Sequence, residues 1–162
     1  MSKTGELIRS MIDYYAGDAR RIQHFLKVYG FAKTIGELEH ISDEMQEILE
    51  TAAVVHDIGI KVSEEKYQSS AGNYQQLEGP PIAKDMLTRL GYEKELIERV
   101  CYLIAHHHTY NNIEGIDYQI LVEADFLVNI SEDAMSADAI QSVKAKIFKT
   151  QFGLELLNKI YQ

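Results

Sequence analysis

Cysteine occurs once in this chain, at Cys101, and proline twice, side by side at Pro80 and Pro81. A single thiol excludes a disulfide framework and a thiolate metal knuckle, and suits a reducing compartment. So little proline leaves long stretches free to continue as helix. Basic residues are also in short supply: 16 Lys and Arg stand against 25 Asp and Glu, a net charge of −9. That balance argues against a surface tuned for nucleic-acid backbones, so no nucleic-acid polymer is expected as partner. A small anionic substrate stays compatible, because a local site or a metal outvotes the global charge. No run approaches the roughly 18 apolar residues that span a membrane. The opening stretch MSKTGELIRSMIDYY has no apolar core or small-residue cleavage site, and a cytoplasmic location is the expectation.

What is present is an ordinary globular composition, 46% apolar and 25% charged over 162 residues. That is one domain, 1–162, with a core over about 18–130 and C-terminal helices in 131–162 packed on it. Helical periodicity runs through nearly every segment and predicts helices at about 4–16, 18–37, 43–58, 80–90, 94–107, 117–130, 136–148 and 150–160. Gly17-Asp18 and Ser42-Asp43 read as helix starts, Gly59 and Gly91 as stops, and Pro80-Pro81 as an opening turn. Strand-like alternation is not sustained, and the fold class is all-α. The stretch 62–79, VSEEKYQSSAGNYQQLEG, reads as a long irregular loop rimming a pocket.

Polar groups interrupt the apolar faces at a few places. His24 begins an apolar row with Val28, Phe31 and Ile35, and Asp125 sits among Leu121, Val122 and Val128. His56 and Asp57 end the apolar run TAAVV, and His106-His107-His108 ends another helix. Burying such groups without partners costs several kcal/mol, so something is expected to hold them. Neutral imidazoles and carboxylates without thiolate form a nitrogen–oxygen set, which suits divalent Mn, Fe, Co, Ni or Mg better than structural zinc. Adjacent residues in mid-helix point about 100° apart and do not share a ligand. A helix ending at Gly59 would let His56 and Asp57 turn to one point.

This ordered pattern, His24, His56-Asp57 and Asp125 on helices, resembles the HD-domain superfamily of metal-dependent phosphohydrolases. The resemblance implies a helical bundle with the metal site at its centre, and one divalent ion bound by His24, His56, Asp57 and Asp125. Some branches hold a second ion through extra histidines. LIAHHHTYNNIEG matches their adjacent pair at His106 and His107, and QLEGPPIAKDML matches the earlier position, with Glu78 standing where those branches have histidine. His108 reads as an outer or solvent residue, His40 as a surface one, and Tyr110 as a pocket wall. Asp57 is the expected group to orient the attacking water. Lys61, one residue from the lysine of related HDIGK sequences, and Arg21, one helical turn before His24, are the expected phosphate contacts.

The function implied is hydrolysis of a phosphoric ester or anhydride in a small phosphorylated compound, a nucleotide being the favoured class. Two alternatives stay open: a non-catalytic metal- or nucleotide-binding signalling module, and a di-iron oxygenase of the same fold. A homo-oligomer is compatible with the sequence, and no membrane partner is expected.

Overall fold

A computed structural model describes residues 3–162. Among the described residues there are nine helices and no strand, in agreement with the all-α expectation. Among the described residues no helix is long and apolar enough to cross a membrane. Three helices form the centre: α2 (Ala19–Leu38), α3 (Asp43–Val55) and α7 (Ile116–Glu132), each packed against the other two. Asp18 caps α2 by accepting from the Arg21 amide, and Ser42 caps α3 by accepting from Met45. The last turns of α3, Thr51 through Val55, are buried on every side. So is most of α7, which explains its lack of a clean amphipathic stripe.

The other helices wrap this trio. α1 (Thr4–Tyr14) lays Leu7 and Met11 on α3, while α6 (Lys94–His106) lies between α3 and α5 (Gly72–Arg89). α4 (Ile60–Tyr67) rests on α5. At the C-terminus α8 (Ala137–Lys146) buries none of its own residues, whereas α9 (Gln151–Ile160) returns to α7 and α2 with Leu157 buried. Glu123 of α7 anchors this return. Its fully buried carboxylate accepts from Gln119 Nε2 (2.6 Å), Thr150 Oγ1 (2.6 Å) and the amides of Lys149 and Thr150 (3.1 Å each).

The structure corrects the sequence reading between Gly59 and Pro81. The third helix ends at Val55, not at Gly59, and the stretch 62–79 is mostly helical, forming α4 and the first half of α5. Pro80 and Pro81 lie inside α5 instead of opening it. Two missing amide donors ordinarily break a helix. Here the buried stripe Gln75, Gly79, Ala83, Met86 and Leu87 continues through the proline pair and holds the helix to its neighbours. Gly59 has a helical φ of −77° and starts α4, so its role is not that of a left-handed stop. A Cβ there would lie 2.6 Å from the Gln75 carbonyl oxygen and 2.8 Å from the Gly79 nitrogen. Glycine is required because the two backbones touch.

Candidate metal centre

His24 sits in the second turn of α2, facing α3 and α7. His56 is the residue that caps the C-terminus of α3, and Asp57 follows in a tight turn closed by the Ile58 amide on Val55 O and the Ile60 amide on Asp57 O. Two tyrosines from the end of α1 hold that turn: Tyr15 Oη donates to Asp57 O at 2.8 Å and Tyr14 Oη to Ile58 O at 3.2 Å. The turn lets adjacent side chains converge, which a continuing helix would forbid. Asp125 meets them from α7.

Four atoms come together. His24 Nε2 lies 3.3 Å from His56 Nε2, 3.1 Å from Asp57 Oδ2 and 3.2 Å from Asp125 Oδ1. His56 Nε2 lies 3.3 Å from Asp57 Oδ2 and 3.4 Å from Asp125 Oδ1. Donors bound to one first-row ion at about 2.0–2.2 Å stand about 2.8–3.6 Å apart for angles of 90–109°, so the spacing of His24, His56 and Asp57 fits a single cation, with Asp125 within that range of both imidazoles. The protonation pattern fits as well. His56 Nδ1 donates to Ala53 O at 2.7 Å and His24 Nδ1 to Glu132 Oε2 at 3.0 Å, so each Nε2 faces inward and offers its lone pair to an ion once its proton is lost. Asp125 Oδ1 is buried with no hydrogen-bond partner, a costly state that a cation would relieve.

Electrostatics agree. Burial opposes charging His24, but the carboxylates of Asp125 and Asp57 outweigh it and push its pKa up to about 10. His56 is raised in the same way, against full burial and chiefly by Asp57. Burial would raise both carboxyls, yet the imidazoles beside them hold Asp57 and Asp125 well below the usual range. Positive charge is therefore strongly favoured at the centre of this cluster.

A second group adjoins the first through Asp57, whose other oxygen, Oδ1, is 3.4 Å from His107 Nε2. His107 Nδ1 donates to Ile104 O at 2.8 Å, and its buried Nε2 has no hydrogen-bond partner. Asp57, His107 and His108 each bring a donor atom within 4.8 Å of the others. Burial lowers the His108 pKa to about 4, so it is neutral and able to act as a ligand near pH 7. The end of α6 that carries these histidines is fixed by Arg99, which grips Asp117 at 2.8 and 2.9 Å, and by Tyr118 Oη on His106 O at 2.6 Å.

Residues 21–149 match the family model described as HD domain. The chain belongs to the HD-domain family. In three dimensions it is similar to the crystal structure, at 1.45 Å resolution, of a predicted HD superfamily hydrolase from an uncultured Thermotogales bacterium. The TM-score is 0.70 at 22% identity, covering 96% of this chain and 83% of that one, a likeness of fold. No curated protein matches the sequence.

Several residues lie elsewhere in this HD domain than the sequence reading placed them. Glu78 does not join the histidines; its carboxylate accepts instead from Lys66 Nζ (3.2 Å) and Tyr67 Oη (2.8 Å). His106 stacks on Tyr102 and donates to its carbonyl, so the inward histidines are His107 and His108. Lys61 lies over the Tyr14 ring and donates to Tyr14 O at 3.3 Å, outside the walls of the cavity above the cluster. Arg21 does line that cavity of about 260 Å³, braced by Glu64 at 2.6 Å. Arg20, Gln75, Asn129 and Glu132 also line it and were not singled out by sequence; none interrupts an apolar pattern as His24 and Asp125 do. Tyr110 packs against Phe126, and His40 is an exposed residue with φ +54°.

Proposed function

We propose that this HD domain is a metal-dependent phosphohydrolase acting on a small phosphorylated compound of nucleotide type. The reading is carried by inward donors from α2, the end of α3 with the turn that follows it, and α7: His24, His56 and Asp57 are spaced as ligands of one ion, and beside them stands a buried Asp125 oxygen with no hydrogen-bond partner. His24, His56, Asp57 and Asp125 would hold the first divalent ion; Asp57 Oδ1, His107 and His108 would hold a second. A bound divalent cation lowers the pKa of water and neutralises the charge that builds on phosphoryl oxygens.

The protein's own groups supply the rest. Asp57 lies at the junction of both clusters and lines the cavity, placed to orient the attacking water and accept its hydrogen bond. Arg21, held by Glu64, and Arg20 offer guanidinium donors on the cavity wall for a phosphate. The Ser70 hydroxyl and the Asn129 side-chain amide offer neutral contacts to the rest of the substrate. The test follows phosphate or nucleoside release from a panel of nucleotides and phosphate esters with Mn²⁺, Co²⁺, Ni²⁺ or Mg²⁺. Turnover by the parent and its loss in Asp57→Ala are expected. Equal turnover by a folded Asp57→Ala protein would refute the assignment.

A further inference from the structure

Three of the four inward histidines, His24, His56 and His107, donate from Nδ1 to an oxygen behind the ring, and they do so in two ways. His56 and His107 stand at helix ends, where terminal carbonyls lack helical partners, and each Nδ1 donates to the carbonyl three residues earlier. His24 stands in mid-helix, where the carbonyls are already consumed. Its Nδ1 donates instead to the carboxylate of Glu132, at 3.0 Å and 108 residues away in sequence.

Glu132 is the last residue of α7, seven positions after Asp125 and therefore on the same helix face. One face of α7 thus grips both nitrogens of His24: Asp125 stands at Nε2 and Glu132 accepts from Nδ1. A carboxylate in the last turn of a helix opposes the helix dipole, so its position is not explained by helix stability. Nor is it a free surface group. Its side chain is 16% exposed, lines the cavity, and its second oxygen is 3.9 Å from Lys27 Nζ.

We propose that Glu132 is the positioning residue of the metal centre. It fixes the Nδ1–H tautomer and ring angle of His24 and raises the electron-donating power of Nε2 through a charge-assisted hydrogen bond. The inference rests on the metal-site reading above. It assigns the strength of ion binding to a residue outside the ligand set. The competing explanation is structural: Glu132 clasps α7 to α2 by its ion pair with Lys27.

Direct titration of the chelator-treated protein with Co²⁺, followed by visible absorption, separates these. Asp125→Ala serves as the reference for a lost ligand. Glu132→Ala is expected to weaken binding about 10- to 100-fold, with Glu132→Gln in between because it keeps an acceptor without the charge. Lys27→Met, which removes the ion pair alone, is expected to bind as the parent does. In histidine-labelled protein the His24 Nδ1–H resonance is expected to move in Glu132→Gln and to stay in Lys27→Met. Parental affinity in both Glu132 variants, or an equal loss in Lys27→Met, overturns the proposal while leaving the metal centre standing. If Glu132→Ala fails to fold, Glu132→Gln decides by itself. A parent protein that binds no ion removes both readings together.

Discussion

Replacing Gly59 by alanine tests whether the α4–α5 backbone contact is as tight as it looks. The added Cβ would meet the Gln75 carbonyl oxygen at 2.6 Å, the Gly79 nitrogen at 2.8 Å and the Gly79 Cα at 3.0 Å. Ordinary contact needs about 3.5 Å, so α5 must retreat by about 0.5–0.9 Å. All three obstacles are main chain of a helix, and no side-chain rotation relieves them. Overpacking of this kind costs up to about 3 kcal/mol. The alanine returns up to about 1 kcal/mol through reduced freedom of the unfolded chain, for a net loss near 2 kcal/mol. In a domain of this size that lowers the melting temperature by about 4–8 °C. Gly30→Ala is the control, since a Cβ there meets nothing within 4 Å. It is expected to stabilise by about 0.4–1 kcal/mol. Thermal melts of both variants by circular dichroism, in the presence of chelator, make the comparison. A Gly59→Ala protein as stable as the parent would refute the steric argument. Displacing α5 also moves Gln75, whose Oε1 stands 3.1 Å from His108 Nε2.

Two further outcomes follow from the electrostatics and the core. His24 has a raised pKa in the metal-free protein, so its contribution to stability is complete below about 6.5, its unfolded value, and is lost as pH climbs through about 10. An ion needs the same Nε2 deprotonated; apparent affinity should therefore rise with pH across that window, with protons released on binding, as calorimetry in buffers of different ionisation enthalpy would register. Affinity independent of pH there would contradict the assignment of His24 as ligand. Glu123→Ala leaves two amides of the α8–α9 connection and a buried hydroxyl without their acceptor and should cost at least about 3 kcal/mol in urea unfolding. A loss below about 1 kcal/mol would show that the connection finds other partners.

His24, Asp125 and the His56-Asp57 pair were legible because each breaks an apolar pattern, and a titratable group on an apolar face announces itself in one dimension. The choice among His106, His107 and His108 was not, since it depends on where α6 ends: His106 completes the helix and turns to Tyr102, while the next two residues leave it and face inward. Glu78 occupied a plausible position in the string, but the continuation of α5 through the prolines sets its direction towards Lys66 and Tyr67. That continuation was hidden because a polar stretch rich in serine and glutamine looks like a loop. Only the meeting of Gly59 with Gly79 and the buried stripe beyond shows why it is helical. Glu132 was invisible for a related reason. At the polar end of a helix it resembles any surface acid until α2 is laid beside it.

The ligands also span the chain in a particular way. His24 and Asp125 enclose most of the sequence between them, and the HD pair divides that span into two large loops. A cation joining them would act as a removable staple, closing both loops at once in a chain whose single cysteine rules out an internal disulfide. Unlike a covalent link, its strength would depend on supply: at a hundredfold excess over the dissociation constant it would add about 2.7 kcal/mol, and at scarcity nothing. The stability of the folded state would then report the free metal around it, and starvation for the ion would expose the chain to proteolysis.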